Sequence, residues 1–438
     1  MVYWAPLLHL YQPPTQLHGV LKKVCNESYR PLVRLFRELP HARATINING
    51  VLTEMLDEHG MSDVVEGLRE RSEQGQLEFT GSGKYHPILP LIPQNEMKRQ
   101  IVHNFQTNRR FFGELYSPQG FFPPELAYSR DIVKPILDTG HNWMILSGVA
   151  CPETFPRDTI YYIASTGQRL AVFFRDETLS NQISFKQTDA KGFVQSLKEL
   201  QKEKNNTYVI TAMDAETFGH HIAHWEELFL AEVYEILKSG AKPPPMKPLT
   251  QAQSTGLVKE HGSLLSTPEV IETKEIEVVT ISQLLELFSL DKPIEPYPSS
   301  WSTSRDDIQA GNYYPLWKGK GNHIHQLQWR HLKIAFDLAK KALKVINTES
   351  GKYYADIARG LLDRALHSDQ FWWANPKARL DINMVNRGLL QQDEVIFNAY
   401  KAITISNLSE EEKAECWYRV IASRDIRGKI IDLLLATV

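Results

Sequence analysis

The sequence predicts an α/β fold in which mainly parallel strands, arranged as a barrel or an open doubly wound sheet, are followed by a region of helices. Two observations carry this. Over the first 290 residues short apolar, β-rich runs alternate with longer amphipathic ones, the pattern of strands joined by crossover helices. Beyond about residue 290 the alternation stops and a helical period runs almost to the end. The length of 438 residues agrees with one large domain plus an appendage, divided here as residues 1–290 and 291–438.

The strand candidates, in order, are VYWAPLLHL (2–10), ARATINI (42–48), QLEFTG (76–81), GFF (120–122), NWMILS (142–147), LAVFF (170–174), TYVITA (207–212) and IEVVT (276–280), all rich in β-branched or aromatic residues. Between most of them SYRPLVRLFREL, MSDVVEGLRERSEQ, NEMKRQIVHNFQTNRRFFGEL, AKGFVQSLKELQKE and HWEELFLAEVYEILKSG space their apolar residues as helices do. Residues 241–275, with AKPPPMKP and little periodicity, read as a partly mobile excursion from the barrel. DKPIEPYPSSWSTS, with three prolines and four serines, reads as a linker or active-site loop, and from HIHQLQWRHLKIAFDLAKKALKVI onward a small helical bundle is expected.

Apolar residues at 42% and charged residues at 23% suit a folded chain with a sizeable core. Forty-nine basic against 52 acidic residues leave a net charge of −3, which offers no basic field to nucleic acid or to an anionic membrane. MVYWAPLLHLYQPPTQ lacks the basic region and cleavage site of a signal peptide, and no apolar run approaches the roughly 20 residues a membrane span needs. Cys25, Cys151 and Cys416 are odd in number and far apart, so a reducing, cytoplasmic setting is expected. Nine tryptophans would suit stacking on sugar rings, although filling the core is their commoner use.

Polar clusters follow four of the predicted strands: His9 and Gln12 in HLYQPP, Glu78 and His86 around GSGKYHPILPLIP, Glu125 in PPELAYS, and Asp214 and Glu216 in DAETFGHH. In a parallel barrel the C-terminal strand ends converge on one face, so these residues would meet in one pocket. Glu125 and Asp214 would then supply the two carboxyl groups that glycosidic cleavage generally needs. The plainer alternative is that each caps a helix, one starting near Ser129 and one downstream of Thr217. His220 and His224, four apart, could share a helix face as zinc ligands, but the glutamate of an HExxH arrangement is missing and no metal is expected. GSGK at 81–84 lacks the spacing of a phosphate loop, so no nucleotide cofactor is expected either.

HLYQPP, GQLEFTGSGKYHPILPLI, GFFPPELAYS and MDAETFGHH resemble, in order and approximate spacing, the first four sequence regions of family 57 glycoside hydrolases, and SDQFWWA at 368–374 resembles the fifth. That resemblance implies an incomplete (β/α)7 barrel over residues 1–290 and a helical domain over 291–438 that completes the cleft. It implies a retaining, α-amylase-like enzyme on α-1,4-glucans that works by double displacement without a cofactor. Carried onto this chain, the family pattern makes Glu125 the nucleophile and Asp214 the general acid/base. His9, Gln12, Glu78, His86, Glu216, His220, Asp369 and Trp372 would line the sugar subsites. HLYQP departs from the common HxHQP, so one polar contact is expected to be either lost or replaced by the Tyr11 hydroxyl. A 4-α-glucanotransferase and a branching enzyme stay open, because transfer depends on aromatic acceptor sites for which Trp225, Trp301, Trp317, Trp372 and Trp373 are candidates. From other classes, a non-catalytic glucan-binding protein and a metal-dependent polysaccharide deacetylase are the rivals.

Overall fold

A computed structural model describes residues 1–153, 157–201, 206–238, 275–376 and 379–437; the predicted excursion, apart from residue 275, lies outside them. The strands of the barrel region are β1 (Val2–Leu10), β2 (Ala44–Ile48), β3 (Leu77–Thr80), β4 (Gly120–Phe121), β5 (Trp143–Leu146), β6 (Ile160–Ser165), β7 (Gln168–Phe174), β8 (Thr207–Asp214), β9 (Ile276–Val278) and β10 (Leu290–Pro293), and a short antiparallel pair, β11 (Ala374–Asn375) and β12 (Arg379–Leu380), follows in the helical region. All eight predicted strands are present, and β6, β10, β11 and β12 are additional. Seven strands, in the order β8, β1, β2, β3, β4, β5, β7, run parallel around a ring. A bridge from Gly81 to Phe121 joins its two halves. The seam between β7 and β8 is thinner: Asp176 N–H donates to Ile210 O at 2.8 Å where the strands part. The result is an incomplete barrel, with β6 folded back antiparallel on β7 through Thr166 and Gly167, whose φ of 50° and 79° make the left-handed turn a tight hairpin needs.

Side chains alternate across each strand. Trp4 and Leu8 of β1 and Val209 and Met213 of β8 face outward, against the helices Arg30–Glu38 and Ala190–Gln201. Tyr3, Ala5 and Leu7 of β1 meet Tyr208, Ile210 and Ala212 of β8 inside. β9 pairs the lower half of β1 from Val2 to Trp4, and β2 pairs its upper half from Leu7 to Leu10. The helix Ile281–Leu287, opened by a capping box of Thr280 and Gln283, starts in the space between them and sends Ile281 and Leu284 into the interior core. The lower barrel is thereby filled with apolar side chains, each contributing about 1.5–3 kcal/mol. The upper layer is polar: His9 lies level with Asp214 on one side and Asn47 on the other, and Asn47 is level with Thr80.

Four long helices, His323–Lys344, Glu349–Arg364, Ile382–Ile405 and Glu410–Leu435, form the bundle. Asn322, Thr348, Asp381 and Ser409 cap their N-termini through side-chain oxygens. Small buried residues, among them Ala335, Ala342, Ala355, Ala358, Ala399 and Ala402, let the first three approach closely. The bundle is clamped to the barrel by a buried carboxylate. Arg99, on the barrel helix Gln94–Phe112, grips Asp363 of the bundle at 2.8–3.0 Å, and Arg359 bonds both Asp363 at 2.7 Å and Glu96 at 2.8 Å. Asp363→Ala leaves two guanidinium groups without their shared partner, so we expect a loss of roughly 3 kcal/mol, read as a lower urea midpoint.

Candidate active site

The double proline of GFFPPE ends β4 and turns the chain sharply, setting Glu125 at φ 60°, ψ 18° and Leu126 at φ 48°. Such left-handed geometry costs on the order of 1 kcal/mol or more for a residue with a Cβ. It is held by the fully buried Leu126 side chain and by Trp301 N–H donating to Glu125 O at 3.1 Å. The side chain is held as firmly: Trp301 Nε1 donates to Oε2 at 2.9 Å and Ser368 Oγ donates to Oε1 at 3.0 Å. Glu125 is therefore neither a helix cap nor a free surface acid. Asp214 is the last residue of β8 and caps nothing with its side chain; it faces the buried Arg175, which donates to Ala212 O at 2.7 Å and Asn181 Oδ1 at 2.8 Å and pairs with Glu177. Both carboxyls stay partly exposed, within reach of a substrate.

Beside them rises an aromatic wall. Tyr11 stacks on His86 with centroids 3.9 Å apart, His86 on His9 at 4.9 Å, and His9 on Phe122 at 4.6 Å. His9 Nδ1 donates to Asn47 Oδ1 at 2.7 Å, and Tyr11 donates its hydroxyl proton to Asp369 Oδ2 at 2.5 Å. Asp369 thus arrives from the bundle. Glu216 lies deeper, only 4% exposed, where Gln12 Nε2 donates to it at 3.0 Å and the Tyr29 hydroxyl donates as well. Trp372 is partly buried against the bundle core, edge-on to Trp373.

Three expectations need correction. Glu78 is two residues below the polar layer, level with Leu7 by way of Thr45, and its carboxylate accepts from Ser282 N at 3.2 Å and from Thr45 Oγ1 at 3.2 Å, anchoring the helix Ile281–Leu287. It is a strand-interior residue, not a strand-end one. Residues 220–224 form turns rather than a helix, with His224 at φ 60°, so His220 and His224 share no helix face; His220 bonds Glu27 Oε2 at 2.6 Å instead. Trp225 and Trp317 are buried in the outer cores, away from any sugar. Among the described residues no group of three or more His, Cys, Asp or Glu is placed to hold a metal.

The model of glycosyl hydrolase family 57 matches residues 7–261. This chain belongs to that family. Among its relatives, the alpha-amylase of Pyrococcus horikoshii is 26% identical over 246 residues, covering 54% of this chain and 37% of its own. The 4-alpha-glucanotransferase of Thermococcus litoralis is also 26% identical over 246 residues, covering 54% and 36%. The chain therefore spans little more than a third of the curated relatives it matches. In three dimensions it is similar to the crystal structure of the Thermococcus litoralis 4-alpha-glucanotransferase, with a TM-score of 0.66, 19% identity and coverage of 92% of this chain and 59% of the other. It is similar as well to a GH57-type branching enzyme from Pyrococcus horikoshii, with a TM-score of 0.66, 16% identity and coverage of 100% and 96%. The family fold thus includes the bundle as well as the barrel.

In this family 57 chain four carboxyl groups converge: Glu125, Asp214, Glu216 and Asp369. Burial, followed by the charges of Asp369 and Asp214, pushes Glu125 up to about 8. Burial, followed by the charge of Asp214, pushes Glu216 to about 8, and burial, opposed by Arg175, raises Asp214 to about 6. Asp214 and Glu216 act on one another, so their titration belongs to the pair. Each of the three carboxyls holds its proton more tightly folded than unfolded, so the stability they contribute is fully present below about pH 4 and is lost as pH rises through 8. We expect the unliganded protein to unfold at lower urea at pH 8.5 than at pH 5.5, with the difference narrowed in Glu125→Gln.

Proposed function

We propose that the chain is a retaining glycoside hydrolase of α-1,4-glucans, α-amylase-like, acting by double displacement through a β-glycosyl-enzyme. The observation that carries the reading is the pairing of Glu125 and Asp214 in one electrostatic field at the barrel's mouth, each perturbed by its neighbours and each reachable from solvent. Two carboxyls so coupled can divide the work, one attacking the anomeric carbon and the other protonating the departing oxygen. On the family pattern Glu125 attacks and Asp214 is the acid/base. Tyr11, Asp369 and Trp372 would meet the sugar, while His9, His86, Gln12 and Glu216, all buried, would support it from behind.

A second reading of the roles has an observation of its own. Burial and the charges of Asp369 and Asp214 favour the protonated form of Glu125, whereas Arg175 opposes that effect at Asp214. Either a bound sugar's developing positive charge lowers Glu125, or the two exchange roles.

Incubation with maltoheptaose and amylose tests the function. Shorter α-configured products alone support hydrolysis; longer and shorter products together mean a 4-α-glucanotransferase, and new α-1,6 links a branching enzyme. β-Configured products would overturn retention, and binding without turnover would leave a glucan-binding protein. For the setting we propose a reducing, cytoplasmic compartment, supported by three free, buried cysteines. Among the described residues no helix is long and apolar enough to cross a membrane.

A further inference from the structure

The two donors on Glu125 differ in kind. Trp301 Nε1 is a fixed N–H, whereas Ser368 Oγ carries one rotatable proton and faces three groups, Glu125 Oε1 at 3.0 Å, His86 Nδ1 at 2.9 Å and the Tyr11 hydroxyl. We propose that Ser368 is the positioning residue for Glu125, held in its donating orientation by His86, so that together they fix the carboxylate's rotamer and favour its ionised form. This rests on the reading of Glu125 as a reacting carboxylate.

The proton inventory supports one arrangement. Once Glu125 is ionised, as attack requires, it can only accept, and as a charged acceptor it outcompetes the neutral Tyr11 hydroxyl, which already donates to Asp369, for the single Ser368 proton. Ser368 Oγ must then accept from His86, which makes the imidazole the Nδ1–H tautomer and leaves Nε2 bare. Nε2 of His86 is buried with no hydrogen-bond partner, and burial holds the ring neutral, as this arrangement requires. The opposite orientation would aim a serine lone pair at a carboxylate oxygen.

The backbone is built to keep this geometry. His86 is held at φ 56° although it carries a Cβ, and Ser368 N–H donates to His86 O at 3.1 Å, so the two residues are joined through both main chain and side chain. From the bundle side, Gln370 Nε2 donates to Ala365 O at 2.7 Å and His367 O at 3.1 Å, while Gln392 Nε2 donates to Gln370 Oε1 at 2.6 Å. Gly388 lies so close that a Cβ there would stand 2.5 Å from the Gln370 Cβ. The loop carrying Ser368 is thus fixed from inside the bundle. Glu125 also faces Asp369, Asp214 and Tyr11, whose charges and hydroxyl act on it in the same field.

The test is Ser368→Ala. We expect kcat on maltoheptaose to fall about 10–100-fold with KM within about 3-fold, and the acid limb of kcat/KM to move to higher pH, since the lost donor favoured the carboxylate. Ser368→Thr, which keeps the hydroxyl, should recover most of the rate. His86→Phe, which keeps a ring in the stack, should shift the limb in the same direction and add little to Ser368→Ala in the double variant. An unmoved limb with kcat within about 2-fold of wild type overturns the proposal, as does full additivity of the two variants. If Ser368→Ala does not fold, the His86→Phe and Ser368→Thr profiles decide. If the wild type turns over no α-glucan, the functional reading fails by itself. Ser368 is then judged by carbodiimide labelling of Glu125 across pH, followed by peptide mass spectrometry: a midpoint raised in Ser368→Ala supports the positioning role, and equal midpoints overturn it.

Discussion

Glu125→Gln is expected to lower turnover of maltoheptaose by ~10⁴-fold or more, with the protein still folded. The substitution nearly preserves shape, so Trp301 and Ser368 keep a side chain to hold, but an amide cannot form the glycosyl ester. Stability should not suffer, because a buried acid that repels Asp369 and Asp214 has been removed. The smaller Glu125→Gly opens room for an outside nucleophile, and azide then separates the two assignments of role. If Glu125 is the nucleophile, azide attacks an activated α-glucosyl substrate from the vacated side and yields the β-glycosyl azide. Formation of the α-azide would assign Glu125 the acid/base role and make Asp214 the nucleophile.

Asp214→Asn is expected to lower kcat by roughly 10²–10⁴-fold on a natural glucan, whose leaving oxygen needs a proton. The loss should nearly vanish in the first step for an α-glucosyl fluoride, whose leaving group does not. Glycosyl-enzyme then accumulates, because the water of the second step has no base, and intact-mass measurement should show the added sugar. The pH profile sharpens the point. A general acid works only while protonated, so wild-type kcat/KM should fall as pH rises past the Asp214 titration, and that alkaline limb should flatten in the variant. Normal turnover of maltoheptaose by Asp214→Asn would remove the residue from the mechanism.

Much of this architecture was legible because strand ends in a parallel barrel share one face. An apolar, β-rich run followed by a polar cluster is a local signal, and it led to His9, Gln12, His86, Glu125 and Asp214 without any knowledge of pairing. Glu78 shows where the signal misleads: it too lies near a strand's end in sequence, yet the pleat and register set it one layer too deep, beside Thr45 and Ser282. β6 had a readable mark, YYIAS and LAVFF on either side of a Thr-Gly turn. β10 had none, since LDKP borrows its strand geometry from β6. Ser368 and Trp301 escaped as partners of Glu125 because hydrogen bonds across 243 and 176 residues leave no trace in spacing. Periodicity says which face of an element is buried, not which distant side chain will meet it.

Those long separations bear on the order in which the molecule is made. The barrel's parallel strands and crossover helices can assemble from the first 290 residues, but the partners that settle Glu125 arrive with a loop near residue 300 and a bundle loop near 368. Contacts so far apart in the chain form late and slowly. On a ribosome the chain therefore emerges with its acidic pocket open and Glu125 unheld, and the candidate site is complete only when the final third docks. Any turnover measured on the nascent chain would then be a readout of the last folding event.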